Sequence, residues 1–396
     1  MPSRASLLVI FETHPVQYRA PIYVRLQQLC PDSFHVVYAS DYSMRGGKDP
    51  GFSQPITWDT DLLEGYPSTV LCSVLVDASA KWNAFNGSGV KGVIQRLHPS
   101  AIMLNSLNYR YDAVALSLAW FKGIPVWIRC ETQDQAFSRS WLKSLLRYTY
   151  YRCLYAGISR AFPIGRLNRE HWLRHGLRPR QLRYARYCTP DRSAQLSLQE
   201  RHNRRQALRC KLGIPTNHLV AAFFGKFIAK KNPDLLLQSV PHLSPSIRQK
   251  LSLLFVGSGE LEVALRAQAS TLKYNDGINI HFAGFVNQSA LLDWYLAADV
   301  VVLPSRRAGE TWGLVVNEAL QAGCSVVVSD AVGCAADFGG WERFRTIPVG
   351  SPLHLAGALE ELETYQRSFN WAEKLLQSYS IEAAAQALAT AISELS

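Results

Sequence analysis

Short apolar runs alternate with amphipathic stretches through the first half of the chain: Leu7 to Phe11, Ala20 to Leu29, Phe34 to Tyr38, Val90 to Leu97, Ala101 to Leu104, Ala113 to Phe121 and Pro125 to Ile128. Apolar runs this short, separated by helical periodicity, predict the βαβ rhythm of a parallel sheet. A polar, Gly- and Pro-containing stretch from Ser40 to Pro67 interrupts the rhythm and is long for a simple connection. Insertions of this kind often line substrate sites. From Thr189 to Pro215 the chain turns polar and charged, with turn signals at Thr189-Pro190-Asp191 and Gly213-Ile214-Pro215.

The rhythm then restarts: Leu219 to Phe224, Asp234 to Val240, Leu251 to Val256, Glu260 to Thr271, Ile278 to Ala283, Ala290 to Ala297, Val300 to Leu303, Gly313 to Ala322 and Ser325 to Val328. This second half reads as a doubly wound α/β unit. An Ala-rich helical pattern from Ile381 to Leu395 closes the chain. The expected division is 1–190, 191–380 and a closing helix at 381–396, two domains being what 396 residues require.

Hydrophobic residues make up 48% of the chain and charged residues 18%, which excludes a disordered or fibrous protein. The longest apolar runs fall well short of the roughly 20 residues that a membrane-spanning helix needs, and the apolar start at Ser6 to Phe11 reads as a core strand rather than a signal peptide. Eight cysteines are scattered without a C-x-x-C pair and ten histidines are dispersed. Reduced thiols in a cytoplasmic protein and no metal site are the expectation. The net charge of +11 is uneven: residues 139–211 hold 18 Lys or Arg against Glu170, Asp191 and Glu200, a balance of +15. That stretch suits attraction to anionic substrates or peripheral contact with an anionic inner membrane face, or equally a set of solvated helix faces. No aromatic-interleaved motif accompanies the arginines, so nucleic acid is not an expected partner.

Candidate chemistry concentrates beyond Asp299 to Ser305, a buried strand with a loop at its carboxyl end, where open α/β sheets bind ligands. The next residues set Glu310 before a helix and Glu318 inside it. A carboxylate at a strand-to-helix loop accepts hydrogen bonds from sugar hydroxyls. The helix start offers the amides of Leu314 and Val315 to phosphate, and Glu318 lies within reach of a ribose. Such a pair alone reads more readily as a helix-entry carboxylate and an exposed helix residue, and it is the context that turns the reading. Ala221 to Pro233 adds a strand running into a three-lysine loop, in which Lys226 and Lys231 suit a departing diphosphate. Gly257-Ser258-Gly259 after another strand reads as a nucleotide-edge turn.

The block running from Phe282-Ala283-Gly284 through Leu303-Pro304-Ser305, Gly309 to Ala319 and Val328 to Cys334 resembles glycosyltransferase family 4, and so does the Gly225, Lys226, Lys231 loop. The resemblance implies the GT-B fold, with two Rossmann-like domains facing a cleft and the C-terminal helix crossing back to the first. It implies that Glu310 contacts the donor sugar, Glu318 the nucleotide ribose, and Lys226 with Lys231 the diphosphate. Gly225, Gly257, Gly309, Thr311, Trp312 and Gly313 complete the donor site so implied. The first strand ends in Glu12-Thr13-His14-Pro15-Val16-Gln17-Tyr18, similar to a His-Pro-x-Gln-Tyr subgroup, where many relatives carry a Gly-rich loop.

His14, Gln17 and Tyr18 are therefore expected on the acceptor or sugar side, or else in a turn around a buried His. Pro125 to Thr132 is similar to the family strand that usually ends in a His near the sugar, but Glu131 stands there. Glu131 and Arg129 are the residues expected to position acceptor or sugar. Gly165, Asn168 and Gly176 match a stretch of a subgroup and read as structural. The activity implied is retaining, metal-independent transfer from a nucleoside-diphosphate sugar to an acceptor hydroxyl, with no other cofactor. Rival readings are a sugar-nucleotide epimerase and a catalytically silent nucleotide-sugar-binding or membrane scaffold protein. A nicotinamide dehydrogenase is disfavoured because no complete G-x-G-x-x-G follows the first strand.

Overall fold

The computed structural model describes residues 6–45, 61–73 and 81–395. Two six-stranded parallel sheets carry the chain. The first contains β1 (Leu8–Glu12), β2 (Phe34–Tyr38), β3 (Ser68–Val70), β4 (Ala101–Leu104), β5 (Val126–Ile128) and β6 (Arg160–Ala161), in the order β3-β2-β1-β4-β5-β6. The second contains β7 (Leu219–Phe224), β8 (Leu251–Val256), β9 (Asn279–Gly284), β10 (Val300–Leu303), β11 (Ser325–Ser329) and β12 (Phe344–Ile347), in the order β12-β11-β10-β7-β8-β9.

Both orders are those of a dinucleotide-binding sheet, with a switch point between β1 and β4 and another between β7 and β10. The central strands are apolar, Ser252 of β8 excepted, because helices cover both faces: every residue of β7, β8 and β10 is buried. Part of the Ser40 to Pro67 interval, residues 46–60, lies outside the described residues. The short strands β3 and β6 carry too few apolar residues to stand out in the sequence pattern.

The closing helix, Ile381–Ser393, returns to the first sheet. Ala384, Ala385, Leu388 and Ala391 bury themselves in the same core as Ile22, Leu26 and Trp127. Small residues let this helix approach the Ala20–Leu29 helix closely, and Arg25 pairs with Glu382 at 2.5 Å. Arg160 and Arg183 both reach Glu394 at 2.6 Å.

These contacts change the picture of the basic stretch. Arg205 and Arg209, on the helix Leu198–Lys211, are buried and hold the two oxygens of Asp299 at 2.5 Å each. Arg174 reaches Asp134 at 2.9 Å. Much of the positive charge of 139–211 thus ties helices and sheets together and does not form a single face.

Candidate active site

Glu310 sits in the loop beyond β10 and is nearly buried. Its Oε2 meets Lys231 Nζ at 2.5 Å and accepts from Ser305 Oγ at 3.3 Å. Burial alone would raise the Glu310 pKa, but the charges of Lys231 and Lys230 and the hydrogen bonds from Lys231 and Ser305 outweigh it and hold the carboxyl below its ordinary value. Lys230, which drew no role in the sequence, donates to the Gly309 carbonyl at 2.8 Å and so braces the loop that carries Glu310.

A cavity of about 550 Å³ gathers Gly225, Lys226, Lys230, Lys231, Glu310, Thr311, Gly313, Leu314, Val315 and Glu318. The loop after β7 and the loop after β10 meet there because the two strands are neighbours at the switch point. The helix Leu314–Gln321 starts at its wall, with Gly313 as N-cap at φ +102°. Glu318 accepts from Tyr295 OH at 2.7 Å, and burial raises its pKa against that hydrogen bond. Gln17, Tyr18, Glu131 and Tyr187 face the same cavity from the first-sheet side.

One donor-site expectation is corrected. Gly257 does not line the cavity. It has φ +143°, and a Cβ there would lie 1.9 Å from the Gly225 carbonyl oxygen, so its lack of a side chain lets the β8 end pack under the β7 loop. Trp312 lines the cavity as expected, and most of its indole is buried: it donates to Asn317 Oδ1 at 2.8 Å and packs against Tyr187 and Phe338.

A second cavity of about 450 Å³ opens on the other side of Glu131, lined among others by His14, Arg19, Asn105, Asn108, Phe137, Arg139, Arg147 and Tyr151. Among the described residues, only Tyr18, Glu131 and Thr311 line both cavities. Thr311 Oγ1 donates to Glu131 Oε2 at 3.0 Å, so this bond stands where the two spaces join. Glu131 Oε1 accepts from Tyr187 OH, from Tyr18 OH at 3.4 Å and from Arg19 at 3.4 Å. Behind it Arg19 pairs with fully buried Glu12 at 2.5 Å, and Asn105 and Tyr23 also donate to Glu12. Burial and the Glu131 charge raise the Tyr18 phenol to about 12, keeping it a neutral donor.

His14 lines the second cavity, contacts Thr13 Oγ1 at 3.0 Å and packs at a tilt against the Tyr42 ring. Asn168 is structural, as its motif implied: it donates to the Cys130 and Thr132 carbonyls at 3.1 and 2.5 Å and so fixes the turn that carries Glu131. Arg129 is a correction. It is buried outside both cavities, donates to the carbonyls of Ala185 and Arg186 at 3.1 and 3.4 Å and lies over the Tyr187 ring. Its guanidinium thus turns to main-chain carbonyls on the 185–186 segment and away from both cavities.

The dispersed histidines are not all dispersed in space. His171 Nδ1 and His175 Nε2, one turn apart on the helix Arg166–Arg174 and its cap, approach the same Asp134 oxygen at 2.8 and 3.3 Å. These three side chains are the cluster, among the described residues, with ligand atoms close enough together to hold an ion, all within 4.8 Å. Arg174 already pairs with Asp134, and a cation would have to displace or tolerate it. His171 Nε2 also lies 3.0 Å from Tyr155 OH, so the cluster ties neighbouring helices together.

The comparisons with known proteins bear on this layout. The family model described as "Glycosyl transferases group 1" matches residues 204–387, which include β7 to β12 and the cavity residues Lys226, Lys231, Glu310 and Glu318. The second half matches group 1 glycosyl transferases. D-inositol 3-phosphate glycosyltransferase from Streptomyces bingchenggensis is 32% identical over 165 residues, covering 40% of this chain and 36% of that protein. The enzyme of the same name from Xylanimonas cellulosilytica is 38% identical over 131 residues, 33% and 30% of the two chains. The chain thus spans about a third of the length of these curated relatives.

Whole-chain likeness comes from solved structures. Anabaena HepE in complex with UDP superimposes with a TM-score of 0.70 at 16% identity, over 98% of this chain and 100% of that one. WaaG, a glycosyltransferase involved in lipopolysaccharide biosynthesis, gives 0.64 at 16% identity, over 97% and 99%. At this identity the likeness establishes the fold: two Rossmann-like domains in the GT-B arrangement.

Proposed function

We propose that the chain is a retaining, metal-independent glycosyltransferase that moves a sugar from a nucleoside-diphosphate sugar to an acceptor hydroxyl, with residues 1–190 as the acceptor half and 191–380 as the donor half. The observation that carries it is the buried Glu310–Lys231 ion pair in one cavity with Lys226, the Leu314 helix start and Glu318. A sugar needs the carboxylate, a diphosphate needs the lysines and the helix amides, and a ribose needs the second glutamate. A group 1 match over these residues and structural likeness to a UDP-bound protein support the same reading.

In the proposed reaction the bond from the anomeric carbon to the diphosphate oxygen breaks while the acceptor oxygen bonds on the same face. The acceptor proton passes to the departing diphosphate oxygen, and Lys226, Lys231 and the first-turn amides of Leu314 and Val315 stabilise the charge that develops there. Glu131 and Tyr18, at the junction of the two cavities, orient the groups that react, and His14 and Gln17 line the walls beside them. The nucleotide sugar is the only co-substrate required. The same reading has the enzyme work in the cytoplasm, with the basic 139–211 stretch suited to peripheral contact with an inner membrane face.

Incubation with a panel of nucleotide sugars and candidate acceptors tests this, with proton NMR of the product. Release of nucleoside diphosphate with a retained anomeric configuration is the expected result. Inversion would sink the retaining mechanism, and a changed sugar epimer without nucleotide release would mark an epimerase.

A further inference from the structure

The helix Trp141–Tyr155 stands out from the protein in an unusual way. Trp141, Leu142, Lys143, Ser144, Leu145 and Leu146 are all exposed, Trp141 at 73% and Leu146 at 72%. Positions i, i+1, i+4 and i+5 of a helix share one face, so Trp141, Leu142, Leu145 and Leu146 form an apolar stripe. The opposite side is held down: Tyr155 is buried with its hydroxyl at His171, and Tyr151 packs edge-on against His171 and His175. The stripe therefore faces away from the core, and the Asp134–His171–His175 cluster anchors the helix that presents it.

Charge decides what covers this face. Lys143, Arg147 and Arg152 lie on the helix and Arg139 just before it, and no Asp or Glu occurs between Gln135 and Arg169. A second copy of the chain would set these cations against their like. A surface that is apolar beneath and anionic above satisfies both features, as an interfacial helix with Trp at its edge does. The helix also reaches the acceptor side of the cleft, since Arg147 and Tyr151 line the second cavity with Phe137 and Arg139.

We infer that the Trp141–Tyr155 helix is a docking surface for an anionic lipid bilayer, with Trp141, Leu145 and Leu146 entering the interface and Lys143 and Arg152 meeting the headgroups. Given the transferase reading above, on which this part rests, the acceptor is a lipid-borne hydroxyl delivered from that bilayer to the second cavity beside Arg139 and Arg147. The basic 139–211 stretch acts through this one helix, because many of its other arginines are tied into ion pairs.

Sedimentation of the full chain with vesicles of phosphatidylcholine alone, and of phosphatidylcholine with phosphatidylglycerol, tests the docking. The chain is expected to pellet with the anionic vesicles only. The triple change Trp141→Ser, Leu145→Ser, Leu146→Ser should weaken binding by about tenfold or more, and Lys143→Glu by about fivefold. Absence of binding to anionic vesicles, or binding that the triple change leaves intact, overturns the proposal. So does a concentration-dependent dimer in light scattering that the triple change dissolves. Thermal protection by UDP, measured without vesicles, separates the two claims. Protection of wild type and triple variant alike shows the variant is folded with its donor cavity intact. Vesicle binding without protection by any nucleoside diphosphate leaves the docking standing and removes the transferase reading.

Discussion

Thr311 Oγ1 donates to Glu131 Oε2 at 3.0 Å, joining the loop after β10 to the loop after β5 across the cleft. This bond lies where the two cavities meet, which is where the proposed reaction would bring an acceptor hydroxyl and a donor sugar together. Replacing Thr311 with Val keeps the shape and removes the donor. Stability should fall by about 1 kcal/mol or less, since Glu131 keeps three other donors. Glu131→Ala should cut kcat far more than it lowers Tm. Unchanged turnover in Glu131→Ala would show that Glu131 only holds the domains together.

In the proposed reaction the Glu310–Lys231 pair governs donor binding. Glu310→Gln should lower kcat/KM about 10²- to 10³-fold, the usual loss when one preorganised charged contact is removed. Lys231→Met should add a stability loss of about 1–3 kcal/mol, because it leaves Glu310 buried beside a diminished positive charge. Enzyme assays and thermal melts on the two variants check both.

The pH response of Glu310 follows from its depressed pKa. A carboxyl whose folded pKa is lowered contributes stability that is present above its ordinary value of 4.5 and is lost as pH falls through the lower folded value. Nucleotide binding should therefore stay flat from neutral pH down through 4.5 with respect to this group. A drop centred near pH 5 that Glu310→Gln abolishes would contradict this.

The loop carrying the lysines depends on a residue that never touches the cavity. Gly257→Ala places a Cβ 1.9 Å from a backbone oxygen at φ +143°, where neither side can yield cheaply. A loss of about 2–4 kcal/mol is expected. UDP affinity should fall with it, whereas a variant of full stability would return Gly257 to an ordinary loop position.

Asp134 offers a separate pH signature. Burial opposes its charge, but hydrogen bonding and charge from His171, and charge and hydrogen bonding from His175, depress its pKa below 3.8. Its contribution to stability is thus complete above that value and lost on acidification. Asp134→Asn should be less stable at neutral pH and should flatten the acid limb of a denaturation profile.

The gathering of Glu310, Glu318, Lys226 and Lys231 in one cavity was legible in the sequence because its parts are continuous segments: Glu310 to Glu318 straddles one helix start, and Gly225 to Lys231 is one loop. Residues such as Tyr187 and Arg19 were not, because their roles come from meeting Glu131 across 56 and 112 positions. Arg129 misled by its nearness in sequence to Glu131, since its guanidinium turns to the 185–186 carbonyls. The spacing of His171 and His175 by four did carry a signal, one that a helix assignment over 166–174 reveals. The basic stretch could not be divided into ion-paired and available charges until Asp299, Glu394 and Asp134 were in place.

Calorimetric titration of UDP into the wild-type chain and into Lys231→Met tests the donor cavity most directly. The account predicts saturable binding to the wild type and a loss of affinity of about 10-fold or more in the variant. Equal affinity in both, or no binding of any nucleoside diphosphate to the wild type, would contradict it.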